Sequence, residues 1–213
     1  MSSFFVPGLK QWLRVRGASL LLNEKEIFVD AGAIGAVLVL DEATVVLGGE
    51  GKRLVGLAIS SAETRLLYEV PSARRIVSLA RLTEEEVLVV DSAGGVRSLA
   101  WKTGGETKEL FGHFAPVTAA LVLPDYIVTA DVDSQVRVAR KETPREIVAY
   151  LLGNASPVLA LFRGRDDNEV VCVTQDRQAK YFQIAPEAKE IDPFANALPE
   201  TMHKSKKTKN EAE

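Results

Sequence analysis

His113 is one of only two histidines in the chain, and the other, His203, lies close to the C-terminus. An imidazole can serve as a general base, a nucleophile or a metal ligand. Each of those roles needs partners that the sequence does not supply. No H-E-x-x-H, C-x-x-C or G-x-S-x-G pattern occurs, so neither a zinc site nor a serine nucleophile is expected. The single cysteine, Cys172, sits in the apolar run EVVCVT without an activating neighbour, as a core thiol would. It cannot form a disulfide within the chain, which fits a reducing compartment. The stretch GGEGKR, residues 48–53, looks superficially like a phosphate loop. It lacks the G-x-x-x-x-G-K-[ST] spacing, and no helix follows it. A plain turn is expected there, with glycine supplying positive φ. A strand–glycine loop–helix unit of the kind that holds dinucleotides or S-adenosylmethionine is not visible. The sequence therefore predicts no cofactor, no metal and no catalytic residue.

What remains is polar chemistry of structure and recognition. Gly112-His113 is followed by TADVDSQVRV, residues 129–138. This order resembles that of a WD40 repeat, in which the histidine of a Gly-His pair lies beneath an inter-strand turn and hydrogen-bonds an aspartate in it, as buried polar groups need partners. Asp133 is the aspartate expected to hold His113. Asp131, Arg137, Arg140 and Lys141, with Arg145 nearby, form a charged cluster. Arg137 alternates with Val136 and Val138, so it is expected to leave the apolar face and point to a surface. There it could be a solvated strand charge or could meet an acidic group of a partner.

The elements that must carry these residues are short strands. Runs rich in Val, Ile and Leu recur, separated by Gly, Asp, Ser and Pro, and helical periodicity is scarce. The runs group in threes and fours with a period of about 40 residues. One group reads RIVSLARL, EVLVVD, GVRSLAW, TKELFG, and the next reads VTAALVL, YIVTAD, QVRVARK, EIVAYLLG. Asp131 aligns with Asp91 and Gly49, Val136 with Val96 and Leu54, and Arg137 with Arg97. Repetition at this period predicts radially stacked sheets, each burying its faces on its neighbours. The reading is an all-β, WD40-type β-propeller of about five blade-like units over residues 1–193. The first 30 residues are expected to give three strands, and the last unit a weak fourth strand near residues 188–194. Residues 194–213 are expected to be a polar, disordered tail.

The 213 residues carry 26 Lys and Arg against 29 Asp and Glu, a formal net charge of −3. That balance argues against a protein that wraps nucleic acid by itself. No stretch approaches a membrane span, and the N-terminus lacks a secretory core, so a soluble intracellular protein is expected.

Two stretches resemble one family. VLVVDSAGGVRSLAW, residues 87–101, is similar to a strand followed by A-D-K-x-G-D-V-Y-S-[FI]. Residues 111–154 are similar to L-G-H-x-S-x-x-x-D-V and the strand [IL]-[IL]-[ST]-[AS]-D-R-D-E-x-I-[RK]-[VI]-S that follows it. The family is the WD40 subunit of the eukaryotic tRNA (guanine-N7) methyltransferase. Its D-R-D-E is replaced here by Asp131-Val132-Asp133-Ser134 and its K-x-G-D by Ser92-Ala93-Gly94-Gly95. Family members have seven blades, and this chain accommodates about five. The resemblance implies a non-catalytic subunit that binds and stabilises the catalytic methyltransferase, which methylates guanine in the tRNA variable loop. It implies that Arg137 occupies the position of the basic residue that meets an acid of that partner, with tRNA touched indirectly or at the periphery. It implies a nuclear location, with the cytoplasm as a second one. The alternative is a generic WD40 scaffold in another assembly, such as ribosome biogenesis.

Overall fold

A computed structural model describes residues 2–60 and 63–184, together with the backbone of 189–191. Twenty strands and one 3-10 turn (Pro7–Leu9) account for its regular structure. The strands form five four-stranded antiparallel sheets, each built from four consecutive strands in sequence order. Blade I contains β1 (Ser2–Val6), β2 (Gln11–Arg16), β3 (Ser19–Leu22) and β4 (Lys25–Val29). Blade II contains β5 (Ile34–Val39), β6 (Thr44–Gly49), β7 (Arg53–Ile59) and β8 (Thr64–Pro71). Blade III contains β9 (Ile76–Arg81), β10 (Glu86–Asp91), β11 (Gly95–Ala100) and β12 (Lys108–Gly112). Blade IV contains β13 (Val117–Val122), β14 (Tyr126–Asp131), β15 (Val136–Arg140) and β16 (Ile147–Leu151). Blade V contains β17 (Val158–Arg163), β18 (Glu169–Thr174), β19 (Ala179–Gln183) and β20 (Lys189–Ile191).

This is the expected propeller of five blades. The first blade differs from the reading in one respect. It has four strands rather than three, because Ser2–Val6 pairs with β2 in antiparallel register, Phe4 opposite Leu13. The expected tail, residues 194–213, lies outside the described residues.

Second strands show why the blades stack. In β10 Val87 and Val89 alternate with Leu88 and Val90, and all four are buried. A strand turns successive side chains to opposite faces. Both faces are therefore apolar, which only a sheet covered on both sides can sustain. The cores lie between blades, not within them. Leu13, Leu20, Val45 and Leu47 join blades I and II. Val46, Leu54, Val87 and Leu99 join II and III. Leu88, Val96, Ile127 and Ala139 join III and IV, and Val128, Val138, Val170 and Phe182 join IV and V. First strands touch in series, β5 on β9, β9 on β13 and β13 on β17.

The turn between second and third strands repeats in four blades. Its left-handed residue is Lys52 (φ 52°), Gly94 (φ 94°), Ser134 (φ 64°) or Arg177 (φ 64°). Residues 48–53 are thus the plain turn expected, but lysine, not glycine, holds the positive φ. The glycines there serve close packing. A Cβ on Gly49 would lie 2.1 Å from the Ala33 carbonyl oxygen, and one on Gly48 would lie 2.8 Å from Ile76 Cβ of the next blade.

Candidate interface at the junction of blades III and IV

His113 follows β12 and lies under the turn that joins β14 to β15. Its partner is Asp131, not Asp133. Nδ1 lies 2.8 Å from Asp131 Oδ2, and Nε2 lies 2.7 Å from Thr129 Oγ1. All three side chains are buried. The carboxylate can only accept, so Nδ1–H donates to Asp131; with the imidazole neutral, Nε2 accepts from the Thr129 hydroxyl. The buried setting favours that neutral imidazole. Burial pushes the His113 pKa below its ordinary value; the nearby Arg137 charge adds to that, and the Asp131 hydrogen bond opposes it. The correction from Asp133 has a simple cause. Asp131 is the last residue of β14 and shares the Thr129 face two residues earlier, whereas Asp133 stands in the turn, exposed.

Asp131 also secures the turn. Its Oδ1 accepts the N–H groups of Asp133 and Gln135, both at 3.0 Å. Asp91 does the same one blade earlier, accepting from Ala93 at 2.9 Å and Gly95 at 3.0 Å. Asp131 is therefore a buried structural residue with no carboxylate surface to offer a partner, contrary to its expected place in the interface.

Arg137 is also buried, rather than projecting from the sheet as the alternation implied. It faces blade III and its Nη1 donates to the Gly112 carbonyl at 2.5 Å. The guanidinium carbon lies 5.9 Å from the ring centroids of both Phe114 and Tyr150. Phe114 is fully exposed and Tyr150 half-exposed. Arg97, one blade earlier, pairs with its own Asp91 at 2.9 Å. Arg137 cannot copy that, because His113 has taken Asp131. It keeps a buried Nε–H without a hydrogen-bond partner among the described residues. The result is a cation flanked by two aromatic rings; Val132, in the turn before β15, and Leu152, just after β16, are exposed as well.

Arg140 and Lys141 are elsewhere. Three to four residues further along, they lie roughly 10–13 Å away at the opposite end of the blade, at about 3.3 Å per residue. Arg140 pairs with Glu146 at 3.4 Å. Both line a cavity of about 430 Å³ with Thr83, Pro124, Asp125, Tyr126 and Glu142. The four residues expected to form one docking cluster therefore divide into a buried turn-former, one aromatic-flanked arginine and a separate basic pair. Phe114, Val132, Tyr150 and Leu152 went unread in the sequence. Only their adjacency to the turn and to Gly112-His113 could have signalled them.

No group of three or more His, Cys, Asp or Glu among the described residues is placed to hold a metal. Burial pushes the Cys172 thiol up to about 12.

No family model matches the chain. It is 33% identical over 121 residues to the tRNA (guanine-N(7)-)-methyltransferase non-catalytic subunit wdr4 of Danio rerio, a match covering 55% of this chain and 29% of the relative. It is 34% identical over 84 residues to the corresponding WDR4 of Bos taurus, covering 38% of this chain and 20% of the relative. The matched stretches thus span less than a third of either relative. Among solved structures it is similar to the computationally designed Ika4 protein (TM-score 0.64, 23% identity), over 74% of this chain and 95% of that one. It is also similar to the designed Ika8 protein (TM-score 0.65, 21% identity), over 83% of this chain and 56% of that one. The chain therefore has a propeller fold and a partial, WD40-like relation to non-catalytic tRNA methyltransferase subunits.

Proposed function

We propose that the chain is a non-catalytic subunit that docks a catalytic tRNA (guanine-N7) methyltransferase through the rim of blades III and IV, centred on Arg137. The observation that carries this is the state of Arg137: a cation held between two exposed rings and denied the carboxylate that its counterpart Arg97 has. A partner carboxylate that displaces the exposed Phe114 ring and reaches the guanidinium would complete it with a charge-assisted hydrogen bond. Phe114, Val132, Tyr150 and Leu152 would supply the apolar ground around it, the composition of an interface core. The names of the relatives, non-catalytic subunits of that methyltransferase, support this choice of partner.

The test is co-purification with the methyltransferase and assay of tRNA N7-methylguanine. Losing one member of a desolvated charge pair costs about 2–5 kcal/mol. Arg137→Glu is therefore expected to weaken assembly at least ~30-fold, as that lower bound implies. Because Arg137 is buried, Phe114→Asp is the companion variant; its ring is solvent-exposed, so its loss leaves the fold intact. Arg97→Glu is unsuitable as a control, since it sets an acid against buried Asp91. Arg140→Glu at the far end serves instead and is expected to bind as the parent does. Undiminished binding by both Arg137→Glu and Phe114→Asp would overturn the site.

A further inference from the structure

The turn between second and third strands is held mainly by backbone groups. The residue after the second strand donates its N–H to the link before the blade in every case: Glu50 to Ala33, Ser92 to Arg75, Val132 to Pro116 and Gln175 to Pro157, at 2.8–3.0 Å. Three of those side chains are polar, whereas Val132 is apolar and 39% exposed. The next position holds Gly51, Ala93, Asp133 or Asp176. Ala93 and Asp133 each give an N–H to the aspartate two residues before, Ala93 at 2.9 Å to Asp91 and Asp133 at 3.0 Å to Asp131. An alanine thus closes this turn as an aspartate does. In blade V the carboxylate is occupied locally, since Asp176 Oδ1 accepts the Ser156 and Thr174 hydroxyls. In blade IV it is not. Asp133 is exposed, and its carboxylate makes no hydrogen bond or ion pair among the described residues.

The side chains of Val132 and Asp133 are therefore surplus to the turn that carries them. Their position is that of the Arg137 rim. The bond from Val132 to Pro116 ties this turn to the link that carries Phe114. Asp133 precedes Arg137 by four residues, so it stands within about 13 Å of it, at roughly 3.3 Å per residue.

We propose that Asp133 is a specificity-determining residue of this rim, receiving a basic side chain of the methyltransferase while Arg137 receives an acidic one. The inference rests on the proposed docking and adds the sign of a second contact. The matching partner surface carries an acid and a base no more than about 13 Å apart, with apolar side chains for Phe114 and Val132. A surface with two acids would set a carboxylate against Asp133, and such like-charge contacts reject wrong partners and fix the register of docking. The two charges act at different stages. Losing a desolvated charge speeds dissociation, whereas changing an exposed rim charge alters the association rate and its salt dependence.

Association and dissociation rates of the full chain with the methyltransferase, at low and high salt, test it. Asp133→Ala, which leaves the turn as Ala93 has it, is expected to melt like the parent. It is expected to associate about 3-fold more slowly at low salt, with dissociation nearly unchanged, as for an exposed pair. Asp133→Lys is expected to associate at least ~10-fold more slowly, and both losses are expected to shrink as salt screens the pair. Asp125→Lys, the same charge change beside Arg140 at the opposite end of the blade, is expected to associate as the parent does. If Arg137→Glu and Phe114→Asp bind as the parent does, the docking reading fails and takes this inference with it. If those two weaken binding while both Asp133 variants associate like the parent, this inference alone is overturned. Faster association by Asp133→Lys, a loss that salt does not reduce, or a lowered melting temperature for Asp133→Ala would overturn it as well.

Discussion

His113 shows how one residue couples two blades. It belongs to the link after blade III, and both of its hydrogen bonds end on blade IV. Its imidazole is neutral in the fold and its pKa lies below the ordinary 6.5. The folded state then binds fewer protons than the unfolded state as pH falls. The stability that His113 contributes is complete above the unfolded value and is lost as pH drops from about 6.5 towards the folded value. Melting temperature is expected to decline through that window. His113→Ala is expected to cost about 1–3 kcal/mol at neutral pH, by taking the imidazole from Asp131 Oδ2 and the Thr129 hydroxyl, and to flatten the acid limb of the profile. A variant that melts like the parent at neutral pH, or keeps the same acid limb, would refute this account.

At the scale of the element, the strand pattern was open to reading and the faces were not. Blades II to IV were legible strand by strand, because Val, Ile and Leu runs between turn residues leave few alternatives. Arg137 was misplaced for a reason particular to this architecture. Alternation correctly put it opposite Val136 and Val138, but in a stacked blade both faces are covered, so leaving one core means entering the next. Spacing to a turn, which is visible in sequence, points to Asp133, while the side of the strand, which makes Asp131 the partner of His113, is not visible there. Ser2–Val6 was missed since SSFFV carries no turn signal on its N-terminal side. The turns also show a division of labour. Gly49 is needed for room against Ala33 and not for its dihedral angle. Gly49→Ala is expected to destabilise blade II by about 1–3 kcal/mol, the usual cost of overpacking. Gly112→Ala, whose added Cβ would come no closer than 3.6 Å to the Gly94 oxygen, is expected to be tolerated. Urea titration of the two variants distinguishes them.

At the scale of the whole molecule, four apolar cores lie in series between five sheets. In such an array each unit is stabilised by its neighbours, and a terminal unit has one stabilising interface where an interior one has two. Blade V has one described apolar core, shared with blade IV, and Cys172 is buried in it. Its thiol is held protonated, with a pKa near 12, and closed off from reagents. Thiol labelling at mild alkaline pH is expected to be slow in the native chain. With added urea it is expected to begin before the loss of β-sheet circular dichroism. Labelling that rises only with global unfolding would show that blade V melts together with the rest.

The bond from Arg137 to the Gly112 carbonyl places the exposed rim one residue from the buried imidazole. Arg137 is one of the charges that depress the proton affinity of His113. A carboxylate seated on Arg137 would offset that charge, so under the proposed docking His113 becomes easier to protonate in the complex than in the free chain. Linkage is reciprocal: whatever raises proton affinity on binding makes binding stronger as protons become more available. Assembly would then consume a fraction of a proton. Calorimetric titrations in buffers of different ionisation enthalpy would register it as a heat that follows the buffer.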